Sequence, residues 1–97
     1  MRLIIVTNSA VTGVSARNAL TAFLEAKGWS VWHWYEDLWL VDGVPLGTRL
    51  ADLRQEIQGT IPTILQILIF TAEGQIEHAG MVPIRSADWF VGHWNRR

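Results

Sequence analysis

Apolar and polar positions change period along the chain, and each change marks an element. Residues 2–7 are apolar on both faces and read as a central strand. A loop of small polar residues follows at 7–13. Ala16, Ala19, Leu20, Phe23 and Leu24 then recur at helical spacing along one face. Ser15 is placed to cap that helix, and Gly28 after Lys27 to stop it. Residues 29–35 and 38–42 are rich in β-branched and aromatic side chains, which suit a pleated surface, with Glu36-Asp37 between them. They predict a hairpin. Thr48 is the expected cap of a second helix with Leu50, Leu53 and Ile57 toward the core, ended by Gly59 and Pro62. Residues 63–71 form a strongly apolar strand, Glu73-Gly74 a turn and residues 75–81 a short fifth strand. Ser86 is placed to cap a last short helix. In that helix Trp89 and His93, and likewise Phe90 and Trp94, are four residues apart, so both helix faces carry aromatics.

The order strand, helix, strand, strand, helix, strand predicts an α+β fold. Two such split units make a ferredoxin-like sandwich (βαββαβ), one antiparallel sheet with two helices on one face, here with a short C-terminal strand/helix extension. A hairpin loop centred on Glu36-Asp37 sets Trp34 opposite Trp39 and Trp32 opposite Val41, all on one face. His33, Tyr35, Leu38 and Leu40 then fall on the other. Glu-Asp lacks the positive φ that two-residue hairpin turns favour, so a wider loop is expected. The second sheet face stays open unless the tail or a partner covers it. A face lined by Trp32, Trp34 and Trp39 is costly to leave wet, so a homodimer is expected, with these three and His33 as candidate interface or binding residues. A stacking platform for bases would also place aromatics on the first strand, and residues 3–7 have none.

Composition narrows the field. Ninety-seven residues make one domain, 1–97, with enough apolar content for a core. The absence of cysteine excludes disulfides and thiolate metal sites. No apolar run is long enough to span a bilayer and no signal-peptide cleavage pattern opens the chain, so a cytoplasmic protein without a membrane partner is expected. A net charge of −1 does not support a strongly basic nucleic-acid binder. Local contacts to an anion or a nucleic acid would fall to Asn8 and Ser9, in the loop before a helix N-terminus, and to Arg49 and Arg54 on the second helix. That loop has neither a Walker lysine nor a dinucleotide glycine pattern. His33, His78 and His93 show no close metal-ligand spacing, and no metal or cofactor is expected. Glu36, Asp37 and Asp42 read as turn and strand-end residues. Ser9 and Ser15 have no histidine near in sequence, so no nucleophile is assigned.

Trp32-His33, Glu36, Trp39-Leu40-Val41, the helix from Thr48 with Leu53-Arg54, the strand at residues 67–70 and the closing Trp89 resemble a family of small bacterial proteins. In that family a Trp-His pair is followed by an acid and then by Trp-hydrophobic-Val. It is related to the small ferredoxin-like CRISPR adaptation nuclease. The resemblance covers residues 28–95, and residues 1–27 by pattern. It implies a homodimer whose last strand packs on the partner's sheet. In the nuclease relatives an aspartate at the end of the first strand helps to bind a divalent metal, and Asn8 stands where that acid is expected. An amide offers a carbonyl oxygen but no charge, whereas Mg²⁺ sites rely on carboxylates. The fold and the dimer are therefore carried over, and the catalysis is not.

The resulting expectation is a non-catalytic homodimeric interaction module related to these nuclease-like proteins. It would act near nucleic acid or with a protein partner in a toxin–antitoxin or defence setting. The alternatives are a metal-dependent ribonuclease or deoxyribonuclease with a variant site, and a small-ligand sensor using the open sheet or the polar loop.

Overall fold

A computed structural model describes residues 1–8, 10–74 and 86–94. Strand β1 (Leu3–Thr7) leads to helix α1 (Val14–Ala26), the hairpin β2 (Ser30–Tyr35) and β3 (Leu38–Asp42), helix α2 (Leu50–Thr60) and strand β4 (Ile67–Thr71). A turn of helix, α3 (Ser86–Trp89), continues into a wider π turn over Phe90–Trp94. The fold is α+β. Among the described residues the strands form a four-stranded sheet of order β2-β3-β1-β4, with every neighbouring pair antiparallel. The expected fifth strand, 75–81, lies outside the described residues. No described helix is long and apolar enough to cross a membrane.

Local chemistry sets the helix ends, though not always through the expected residue. Gly13, in extended backbone, precedes α1 and makes no side-chain cap; Ser15 stands inside the first turn instead. Gly28 ends the run at φ +81, a left-handed conformation that costs glycine nothing for lack of a Cβ. For α2 the capping position is Arg49, one residue past Thr48, and the helix continues through Gly59 to Thr60 before Pro62. Strand β4 begins only at Ile67, later than the apolar run beginning at 63 predicts.

The two sheet faces are covered differently. Leu3, Ile5, Trp39 and Val41 pack under Ala16, Leu20 and Leu24 of α1 and Leu53 and Ile57 of α2. This is the main core. Trp39 is fully buried, and its Nε1–H donates to Thr21 Oγ1 at 2.9 Å, so the indole leaves no orphan donor under the helices. On the opposite face Trp32, Leu40 and Ala72 pack against Phe90 and Trp94, with Ile4, Leu38 and Trp89 at the margin.

The hairpin register corrects the expectation. Tyr35 pairs with Leu38, so the loop is the two residues Glu36-Asp37, and neither has positive φ. Beyond Tyr35 the pairing slips by one: Trp32 faces Leu40, Val31 faces Val41 and Ser30 faces Asp42. His33 and Trp34 together stand opposite the single Trp39, which is a β-bulge. The extra residue undoes the alternation on which the face assignment rested. Trp39 lies beneath the helices and Trp32 on the other face, so the two are not cross-strand companions. Trp32 and Tyr35, of opposite parity, meet edge to face with ring centroids 5.3 Å apart. His33 stacks on Trp39 at 4.1 Å, where the expectation had put them on opposite faces. The open face lined by three tryptophans therefore does not exist: Trp32 and Trp39 are buried, and only Trp34, 53% exposed, meets solvent.

Candidate functional site

The sheet has two ends, and each gathers polar side chains. At the first, β1 ends beside the β2–β3 turn and the start of α1. Thr7 N–H donates to the Asp37 carbonyl at 3.0 Å, and Thr7 Oγ1–H to Asp37 Oδ1 at 2.7 Å. Arg17 leans in from α1: its Nη2 donates to the Thr12 carbonyl at 2.9 Å, and its Nε lies 3.6 Å from Asp37 Oδ1. That separation is an ion pair without a hydrogen bond, and among the described residues Nε has no hydrogen-bond partner. Asn8 Nδ2 donates to Gln66 Oε1 at 2.7 Å, while Asn8 Oδ1 accepts from Ala10 N–H at 3.0 Å. An open cleft of about 400 Å³ runs between these groups, lined by Val6, Thr7, Asn8, Asp37, Gln66, Ile67 and Leu68.

At the second end the clustering comes from the C-terminal helical segment. Ser30 and Asp42 are cross-strand partners, and Asp42 is 3% exposed. His93 Nδ1 lies 3.0 Å from Asp42 Oδ2, and its Nε2 lies 3.2 Å from Ser30 Oγ. A carboxylate accepts, so Nδ1 carries the proton and donates to it; Nε2 then accepts from the Ser30 hydroxyl. Trp89 Nε1–H donates to the same Ser30 Oγ at 2.9 Å. Three further contacts hold the segment. Trp32 Nε1–H donates to Ser86 Oγ at 2.9 Å in a buried position, and the Arg2 guanidinium donates to the Trp94 carbonyl and lies over the Trp94 ring at 5.7 Å.

The candidate residues scatter across this frame. Asn8 lines the cleft. Ser9 and His78 lie outside the described residues. Arg49, at the capping position of α2, and Arg54, on its outer face, are exposed and paired locally with Asp52 at 3.9 Å and with Gln58 at 2.7 Å. Arg49 stands at the start of α2, which follows β3 at the sheet end opposite Asn8. His33 donates from Nδ1 to the Leu38 carbonyl at 3.0 Å and stacks on Trp39, both of them contacts that position the hairpin. Among the described residues no group of three or more His, Asp or Glu is placed to hold a metal ion.

Sequence reasoning missed the Ser30–His93–Asp42 cluster. Its one legible trace was Trp89 and His93 four residues apart on a helix, beside a hairpin ending in Asp42. A second omission is the bare part of the second sheet face. Leu68 and Phe70 of β4 are 60% and 49% exposed, and they pair with Val6 and Ile4 of β1 on the face that the C-terminal segment covers only in part. Comparison with family models, with curated proteins and with solved structures finds no match to this chain.

Proposed function

We propose that the chain is a homodimeric interaction module of the ferredoxin-like class, with two copies meeting through the bare end of the second sheet face. The observation that carries this reading is the exposed apolar row of Leu68 and Phe70, continued by half-buried Val6 and Leu38 and by exposed Tyr35. Side chains of this kind on one face mark an interaction site. None of these five is charged, so a second copy brought against them about a two-fold axis meets no like charge. The ferredoxin-like assignment is supported by the strand order, with β1 between β3 and β4 and a helix on each crossover.

The relationship to the CRISPR adaptation nuclease, and with it a cytoplasmic role near nucleic acid or in defence, rests on the sequence resemblance. Nuclease chemistry is not part of the proposal. Both ends of the Asn8 amide are engaged within the protein, one by Gln66 and one by Ala10, so the side chain serves as a fastening for the loop. The adjoining cleft of about 400 Å³ favours a second reading, a sensor of a small polar ligand, since binding pockets commonly have this volume.

Sedimentation equilibrium tests the main reading. The native chain should be dimeric at micromolar concentration, and Phe70→Lys should weaken the dimer by about 2 kcal/mol or more, as loss of an aromatic anchor commonly does. A native chain that sediments only as a monomer would refute the proposal.

A further inference from the structure

We propose that Ser30, His93 and Asp42 form a nucleophilic relay that accepts the acyl group of small activated esters. The inference stands on a different part of the molecule from the dimer reading and does not depend on it. The three side chains take the order a serine nucleophile requires: acid to Nδ1 at 3.0 Å, Nε2 to hydroxyl at 3.2 Å. Exposure grows along the relay. The Asp42 side chain is 5% exposed and that of His93 38% exposed, so the acid is sheltered while the base reaches solvent. Ser30 is only partly buried.

The frame is fixed on both sides. Acid and nucleophile sit directly opposite one another on β2 and β3, so the backbone pairing sets their separation. His93 is seated by the Trp89 ring, tilted against it at 5.2 Å. Asp42 is a positioning residue: it holds the proton on Nδ1, which leaves the Nε2 lone pair directed at the Ser30 hydroxyl. In the acyl transfer, Ser30 Oγ bonds to the ester carbonyl carbon as its proton passes to His93 Nε2. The carbon–oxygen bond to the leaving group then breaks, and the departing alcohol oxygen takes that proton. Water, deprotonated by the same nitrogen, releases the acid and restores the hydroxyl. The N–H of Trp89 already occupies one lone pair of Oγ, which lowers its nucleophilicity. The substrate class is accordingly an ester with a good leaving group rather than an amide.

The same contacts would equally fasten the C-terminal segment without any reactivity, and the native chain distinguishes the two. It should be incubated with a fluorophosphonate ester and its peptides mapped by mass spectrometry. The expected result is a single adduct on Ser30, absent from the chain labelled after unfolding in urea and suppressed by p-nitrophenyl acetate, which should itself give a burst of p-nitrophenol. In Asp42→Asn, shown to be folded by circular dichroism, labelling should slow on the order of a hundredfold or more because the imidazole tautomer is no longer held. No adduct on Ser30, or equal labelling of folded and unfolded chain, would overturn the proposal and leave a structural clasp. An Asp42→Asn rate equal to the native rate would overturn the relay.

Discussion

The two ends of the sheet carry polar clusters of nearly the same makeup, and they hold different things. At one end a hydroxyl, a carboxylate and a cation, Thr7, Asp37 and Arg17, fasten a strand to a turn and to the helix above it. All three belong to elements that the main core already fixes. At the other end a hydroxyl, a carboxylate and an imidazole, Ser30, Asp42 and His93, fasten the sheet to a segment that no strand pairing holds among the described residues. The acid differs too: the Asp37 side chain is 19% exposed and that of Asp42 5% exposed. Water replaces what the Asp37 carboxylate does more readily than it replaces the buried Asp42 carboxylate, although the partners run the other way, Arg17 being 13% and His93 38% exposed. Similar residues thus support a frame at one end and a docked cover at the other.

That contrast can be broken by substitution. The largest effect is expected for Trp32→Ala, which empties the space between sheet and C-terminal segment and releases Ser86 Oγ. It should cost about 3–5 kcal/mol in urea denaturation, the usual range for a buried tryptophan. A cost below about 1 kcal/mol would mean that the cover contributes little to the folded state. Asp42→Ala should cost about 1–3 kcal/mol, because it removes a buried carboxylate together with its hydrogen bond to His93. Asp37→Ala should cost less than Asp42→Ala by the same assay, and the reverse order would remove the distinction between the ends. The smallest effects are expected at Arg49 and Arg54, whose pairs are local and exposed. Alanine at either should change stability by no more than about 0.5 kcal/mol.

How much of this was legible depended on range. Strand and helix periods were written locally, and residues such as Leu20, Leu24, Leu53 and Ile57 stand in the core where their spacing puts them. The hairpin failed at one point only. Its register is as expected at Tyr35–Leu38, and the bulge at His33-Trp34 turns over the side chains of β2 that precede it, Ser30 to Trp32. Nothing in a run of alternating aromatics signals an extra residue. Stacking of His33 on Trp39 and the hydrogen bond from the Trp39 indole to Thr21 belong to the bulged register and appear only in three dimensions. The Ser30–His93 and Asp42–His93 contacts span 63 and 51 residues, beyond any spacing rule. The Asn8 end was easier to find, since a polar loop before a helix is a local feature. Its amide is nevertheless engaged by Gln66, which sequence order does not place beside it.

In the proposed dimer the second copy sits on the bare end around Leu68 and Phe70, away from the clasped end. The chain contains no cysteine, so a single introduced thiol reports one position without background. Leu68→Cys and Phe70→Cys should be oxidised at micromolar concentration and run on non-reducing gels beside Gln55→Cys, on the exposed surface of α2. Disulfides form only where the two Cα atoms come within about 7 Å, so an isologous interface favours positions near its axis. At least one β4 variant should form covalent dimers rapidly, and Gln55→Cys should couple slowly and only as concentration drives it. Coupling of Gln55→Cys as fast as both β4 variants would place the contact elsewhere and contradict the proposed dimer.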